Sequence, residues 1–374
     1  MRNILLASLF GLALFLPGAA TAADPISIGV ISPLSGPFAT VGTRQTAAIQ
    51  WWADEVNAKG GINGRKIELA VCDDRGNPEV AVTCARNHIQ NGVSLLLDTS
   101  VAGTIRAVMP LLNNGPVMIV ASPIINPPAN SYVFQTSPTD LEITRGLLLY
   151  MQANHQNRLA MIASTDATGE VGVADAQAVF PPAGVKLELT RIDLNSNDAS
   201  IQLANVLKDN PPLLYSAYSG GGAAAVVKSF TNLGMTMPLV ISNANLTESF
   251  MALIRNDMPP RLLGLGLNSM VPESVKDPDE KARIEHFEKA YEAARKEPVD
   301  LLSTLGLMLA DTADAVVRNV ADPKNAAATK SFLESARIKS IAPIHFTPSS
   351  HVGLSADSVA VLEYKQGHWT EALK

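Results

Sequence analysis

The stretch from Ile26 to Asn91 constrains this chain more than any other part of it. Ile26–Ile31 is a short apolar run that breaks at the turn-rich Ser32-Pro33-Leu34-Ser35-Gly36-Pro37. From about Thr40 to Ala58, apolar residues recur at three- and four-residue intervals (Val41, Ala48, Ile49, Trp52, Val56), the pattern of a buried helix face. Gly60-Gly61 stops that helix, because glycine accepts the left-handed cap conformation at little steric cost. Asn63-Gly64 makes a tight turn, Lys66–Cys72 is a second apolar strand, and Pro78 with Asn77 as cap opens another helix. Strand, helix, strand, helix is a βαβ unit, which demands a parallel sheet with helices on its faces.

The pattern continues. Strands are expected over Val93–Leu97, Pro116–Val120 and Tyr132–Gln135, with a helix over Gly103–Leu112 and another over Thr139–Met151. A second series follows, with strands over Arg158–Ala163, Val185–Ile192, Leu213–Ala217, Leu239–Ile241 and Leu262–Leu267. Helices near Val171–Phe180, Ala199–Lys208, Ala223–Leu233 and Leu246–Ile254 separate them. Asp277–Lys296 reads as a charged helix, and Leu301–Val320 and Asn325–Ala336 as two more, before short strands that include Ser358–Tyr364. Two similar βα series imply two similar α/β lobes, and 374 residues can hold two ordinary cores.

Residues 1–23 show Arg2, an apolar stretch from Ile4 to Leu16, a Pro17-Gly18 break and the small-residue site Ala20-Thr21-Ala22. That is the pattern of a cleavable secretory signal, and the apolar run is shorter than the ~20 residues a membrane span needs. The mature chain is expected to start at Ala23 or Asp24, outside the cytoplasm and without stable membrane insertion. With 17% charged residues, 47% hydrophobic residues and a formal net charge of −6, the chain is neither disordered nor suited to nucleic acid. Only Cys72 and Cys84 are present. An oxidising compartment favours their pairing, with two buried thiols as the alternative.

The strings IGVISPLSGPFATVG, EVNAKGGINGRKIEL and CDDRGNPEVAVTCARNHI, in that order and spacing, resemble the periplasmic leucine/isoleucine/valine-binding protein family. The resemblance weakens after about Gly234. It implies a type I periplasmic binding protein fold: α/β, two Rossmann-like lobes with parallel central sheets, a hinge of three crossovers and a ligand cleft between the lobes. By resemblance, lobe 1 is 24–138 with 271–345 and lobe 2 is 139–270 with 346–374. The implied partners are a small-molecule ligand and the membrane permease of an ABC importer; a monomer without cofactor is expected.

In open α/β sheets, ligands sit outside the carboxyl ends of the strands. Four regions qualify. Phe38, after the first strand, offers an aromatic wall. Thr99, Ser100, Ala102, Gly103 and Thr104 follow the third strand, with hydroxyls and free N–H groups at a helix start that suit a carboxylate. Ser122, Pro123, Ile124 and Ile125 follow the fourth. In the family, the loops after strands three and four bind the carboxylate and ammonium of an amino acid, so that role passes by resemblance to these residues. The bland reading is that the Ser and Thr residues only cap helices. In the second series, Thr168 stands where the family has an aromatic residue, Tyr218 is placed to close over a ligand, and Asn243 falls near the family's acidic partner of the substrate ammonium. Here Asn243-Ala244-Asn245 has no carboxylate before Glu248. Losing one partner of a buried charge pair costs about 2–5 kcal/mol. A guest with a carboxylate or amide end and no α-ammonium is therefore expected, unless Asp98 or Asp166 substitutes. Arg106, one turn into its helix, is placed either to meet a ligand carboxylate or simply to be solvated.

Other features read as structural. Gly220-Gly221-Gly222-Ala223-Ala224-Ala225 matches a dinucleotide motif but lacks the acid about 20 residues on, so close helix packing is expected. Asp73-Asp74 reads as turn and cap, and Trp51-Trp52 as core and edge packing. The six histidines are scattered, and HExxH, GxxxxGK[ST] and GxSxG do not occur. The leading expectation is a non-enzymatic solute receptor of an importer. A ligand sensor of the same fold is the first alternative, and an exported α/β enzyme the second.

Overall fold

The computed structural model describes residues 24–99, 101–193 and 196–372. The signal-like stretch 1–23 lies outside them. The first series gives β1 (Ile26–Ser32), α1 (Ala39–Ala58), β2 (Ile67–Asp73), α2 (Pro78–Gln90), β3 (Leu95–Asp98), α3 (Ala102–Val108), β4 (Met118–Val120) and β5 (Val133–Gln135). Its five strands form one sheet in the order β2-β1-β3-β4-β5, and every pairing is parallel. Alternate residues on these strands point to opposite faces. Ile31, Leu96, Met118 and Val120 meet α2 and α3, whereas Ile28, Val30, Leu95 and Leu97 face α1 and the later helix α10 (Leu301–Asn319).

The second series gives α4 (Asp140–Ala153), β6 (Arg158–Ser164), α5 (Ala167–Val179), β7 (Lys186–Ile192), α6 (Ser200–Asp209), β8 (Leu214–Ala217), α7 (Gly220–Asn232), β9 (Leu239–Ile241), α8 (Glu248–Ile254) and β10 (Leu262–Leu267). After β10 the chain returns to the first sheet with α9 (Pro278–Arg295), α10, α11 (Ala326–Leu333) and the short strands β11 (Arg337–Ile338) and β12 (Ile344–His345). It ends in β13 (Val359–Lys365) and β14 (His368–Glu371), which rejoin the second sheet. That sheet has seven strands in the order β14-β13-β10-β9-β8-β6-β7. β13 runs antiparallel to both β10 and β14, so the sheet is parallel except at this edge. The chain therefore passes between the sheets three times, at 136–139, 268–277 and 346–358. Two of these passages are stitched together. Gln135 receives the N–H of Gly353 and donates its own N–H to His351 O, and the Glu142 carboxylate accepts the N–H of Ala356.

Three boundaries shift for local reasons. The helix after β3 ends at Val108 and tightens to a 3-10 turn over Met109–Leu112, because Pro110 has no N–H to continue the α ladder. α5 starts at Ala167, one turn before the periodicity suggested, because Asp166 caps it by accepting the N–H of Gly169. α7 starts at Gly220, and a Cβ at Gly222 would lie 2.2 Å from the Tyr218 ring. The glycine run packs a helix start onto the sheet. Cys72 and Cys84 form a disulfide that ties β2 to α2. Trp51 and Trp52 are both buried, Trp51 against Phe287 and Tyr291, and Trp52 donating to Asp314 Oδ1 at 3.1 Å.

Candidate functional site

The strand ends of the first sheet carry the loops that the sequence singles out. Asp73, at the end of β2, fixes the β1 loop. Its Oδ1 accepts the N–H groups of Leu34 and Ser35 at 2.9 and 3.3 Å, and its Oδ2 accepts the Ser35 hydroxyl at 2.6 Å. Slight burial works to raise the Asp73 pKa, but these bonds and the N–H of Arg75 outweigh it, so the carboxyl titrates below its ordinary value. The loop ends in Phe38, which is 45% exposed with its ring beside Gly76.

After β3, Thr99 is wholly buried and its hydroxyl lies 3.2 Å from Ser32 Oγ. Ser100 lies outside the described residues. Ala102 and Gly103 open α3, the first half-buried and the second exposed, while Thr104 turns its hydroxyl back to Val101 O at 2.8 Å in a capping role. After β4, Ser122 is 1% exposed and its hydroxyl has no hydrogen-bond partner. Pro123 and Ile124 are half-buried beside it, and Ile125 turns into the core. Arg106 is exposed and donates from Nη2 to Ile124 O at 2.7 Å, tying α3 to the β4 loop.

In the second sheet, Thr168 stands in the first turn of α5, and its side chain lies outside what the structure describes. Tyr218 is 3% exposed and donates its hydroxyl to Asp193 O at 3.1 Å, so the ring is packed into the core. Asn243 is half-buried in a 3-10 turn. Asn245 holds the neighbouring loop, donating to Tyr218 O at 2.8 Å and accepting the N–H of Gly220 at 3.0 Å.

Two cavities lie between elements of the two sheets. The larger, about 760 Å³, is lined by Arg106, Pro123, Ile124 and Asn126 from the first series and by Thr139–Glu142, Val171 and Asp175 from α4 and α5. The returning segment closes it with Pro343, His345 and residues between 350 and 358. The smaller, about 20 Å³, is the size of one water and brings Asn243 to Pro123, Ser137 and Pro138 among leucines of β10 and α10. Of the candidate residues, Pro123 and Ile124 line the first and Pro123 and Asn243 the second. Phe38, Thr99, Ala102, Gly103, Thr104, Ser122, Ile125 and Tyr218 line neither.

The acids around these cavities are unequal. Asp98 is wholly buried beneath α3 with both oxygens unpartnered; burial and then the charge of Asp74 push its pKa well up. Asp166 is occupied as the α5 cap. Asp140, in the first turn of α4, has its pKa raised to about 6 by burial and then by the charge of Asp175. Asp175 is itself raised by burial, with Arg145 opposing. Sequence reasoning missed both: an acid in a first helical turn, such as Asp140, ordinarily signals nothing beyond the helix dipole, and Asp175, in the second half of α5, reads as an ordinary helix position. Among the described residues, no group of three or more His, Cys, Asp and Glu side chains is placed to hold a metal ion, and no helix is long and apolar enough to cross a membrane. The arrangement suits holding a small molecule between two sheets.

Comparison with known proteins agrees with this geometry. A family profile described as periplasmic binding protein matches residues 25–367. A Leu/Ile/Val-binding protein of Rhizobium johnstonii is 29% identical over 178 residues, which cover 46% of this chain and 48% of that protein. The chain thus spans about half the length of that curated relative. Among solved structures, a Rhodopseudomonas palustris ABC transporter solute-binding protein in complex with benzoate superposes with a TM-score of 0.73 at 20% identity, covering 93% of this chain and 95% of that one. A Desulfitobacterium hafniense ABC transporter substrate-binding protein in complex with Leu superposes with a TM-score of 0.74 at 17% identity, covering 93% and 100%.

Proposed function

The chain belongs to the periplasmic binding protein family, in its branched-chain amino acid type, and on that premise we propose that it is the solute receptor of an ABC importer. Residues 1–23 direct export and are removed. Lobe 1 (24–138 with 271–345) and lobe 2 (139–270 with 346–374) close on a small guest and present the closed form to a membrane permease. A ligand drives closure only through its extra affinity for the closed state, so both lobes must contribute contacts. The guest is held without chemical change. It carries a carboxylate or amide end and no α-ammonium.

One observation carries the ligand class: the β9 loop offers amides where an α-ammonium would require an acid. Asn243 lines the narrow cavity beside Pro123, and Asn245 is committed to Tyr218 and Gly220. Neither substitute acid is placed to help, since Asp98 is sealed beneath α3 and Asp166 caps α5. The likeness to the benzoate and leucine complexes supports the fold alone.

Isothermal titration of the purified mature chain with leucine, valine, benzoate, hexanoate and isovaleramide tests the reading. At least one acid or amide is expected to bind 30-fold or more tighter than either amino acid, the lower end of the charge-pair cost. Micromolar binding of leucine or valine would refute it.

A further inference from the structure

The larger cavity has charges on opposite walls, and they are not matched. From the first sheet's side comes Arg106, anchored on Ile124 O. From the second come Asp140, Glu142 and Asp175. Glu142 is satisfied, with one oxygen on Arg145 and the other on the N–H of Ala356. Asp140 and Asp175 enter none of the ion pairs or side-chain hydrogen bonds found among the described residues; the Asp140 contact is its backbone N–H on Pro123 O at 3.2 Å. That bond also places Asp140 directly against the β4 loop. One guanidinium lining the cavity therefore faces three carboxylates, of which only Glu142 is held in an ion pair.

Asp140 has no counter-charge beside it, and Asp175 has only the pull of Arg145, which is already paired with Glu142. Half-buried carboxylates so placed are costly to ionise, and a cation delivered between them recovers that cost through charge-assisted bonds. The volume of about 760 Å³ lies in the range of small-molecule sites. Leu141 and Val171 supply apolar wall between the charged groups.

We propose that Asp140 and Asp175 form a cation-accepting subsite of the inter-lobe cleft. The guest then carries an ammonium or amidinium at the end remote from its carboxylate or amide. This rests on the receptor reading and deepens it: the carboxylate or amide end lies on the side of Arg106 and the β4 loop, and the positive charge lies across the cavity at α4 and α5. Closure would be reinforced, because α4 and α5 hold the cation while the β4 loop and Arg106 hold the rest.

The test is calorimetric titration of the full mature chain at pH 8 with two matched pairs: hexanoate against 6-aminohexanoate, and benzoate against 4-(aminomethyl)benzoate. The amino member of at least one pair should bind ten-fold or more tighter than its plain partner. In the Asp140→Asn/Asp175→Asn double variant that ratio should collapse to about two-fold or less. If the double variant fails to melt cooperatively, the single variants Asp140→Asn and Asp175→Asn supply the same comparison, and each should at least halve the preference. Equal or weaker binding of both amino members overturns the subsite. So does a preference that survives the substitutions, or no binding of either amino compound at 10 mM. Plain acids that bind without an amino preference leave the receptor's acid class standing and remove the subsite. Amino members that bind through the aspartates, with plain acids inert, uphold the subsite and show that the carboxylate end alone does not secure the guest.

Discussion

Asp311 shows how one buried acid contributes to the pH response of the chain. It lies within α10, 9% exposed, with Oδ2 accepting the Ser340 hydroxyl at 2.7 Å and Oδ1 3.7 Å from Arg283. Burial outweighs both partners and raises its pKa from 3.8 to about 7. The folded protein therefore binds a proton that the unfolded chain has released between about pH 4 and pH 7. Stability from this group is fully present below pH 4 and is lost as pH rises through 7. Asp311→Asn should leave the stability near that of wild type at pH 4.5 and increase it at pH 8, by no more than about 4 kcal/mol at about 1.4 kcal/mol per pH unit, with the melting temperature rising accordingly. Thermal melts at the two pH values check this, and a variant destabilised at pH 8 would contradict it. Ser122 is the opposite case, a buried hydroxyl with nothing to bond. Ser122→Ala should hold or raise the ligand-free melting temperature, because no internal bond is lost; a lowered melting temperature would make Ser122 structural. At this scale the sequence was only partly informative. It located the β4 loop, of which Pro123 and Ile124 reach the large cavity. It was silent on Asp140 and Asp175, whose pairing depends on how α4 and α5 pack.

Elements were far more legible than residues, because each strand is a short apolar run bounded by turn chemistry and each helix keeps its period. What escaped was set by partners distant in the chain. The antiparallel edge of the second sheet depends on β13 meeting β10, and no local pattern in Val359–Lys365 states the direction of that pairing. Two element-level tests follow from the packing. α10 crosses α1 at Gly306, where a Cβ would stand 2.4 Å from Gln45 O. The clash is with backbone, so Gly306→Ala should destabilise by about 1–3 kcal/mol in denaturant melts, and an unchanged midpoint would mean that the helices can separate freely. Across the sheet, α2 is held by the Cys72–Cys84 disulfide and by Asn77, whose side chain accepts the N–H groups of Glu79 and Val80. Replacing both cysteines with alanine should cost about 3 kcal/mol under oxidising conditions, on the chain-entropy estimate for a short loop. Reductant should bring the wild type down to the same midpoint and leave the variant unmoved.

For the whole molecule, two sheets joined by three passages are an arrangement that accommodates the hinge closure proposed above. The same topology orders how the protein comes into being. The strands of the first sheet are all made by Gln135, but their outer face waits for α10, and β10 waits for its antiparallel neighbour until Val359–Lys365 has been synthesised. Until then β10 is an open edge carrying Leu263, Leu265 and Leu267, the kind of surface that recruits other chains. Neither sheet has its full cover until α10 and β13 are made, a delay that would suit the export proposed above, with the chain crossing a translocation channel unfolded. A chain stopped after residue 357 should accordingly fail to melt cooperatively and should aggregate, whereas supplying the missing segment as a synthetic peptide should restore some soluble, folded protein.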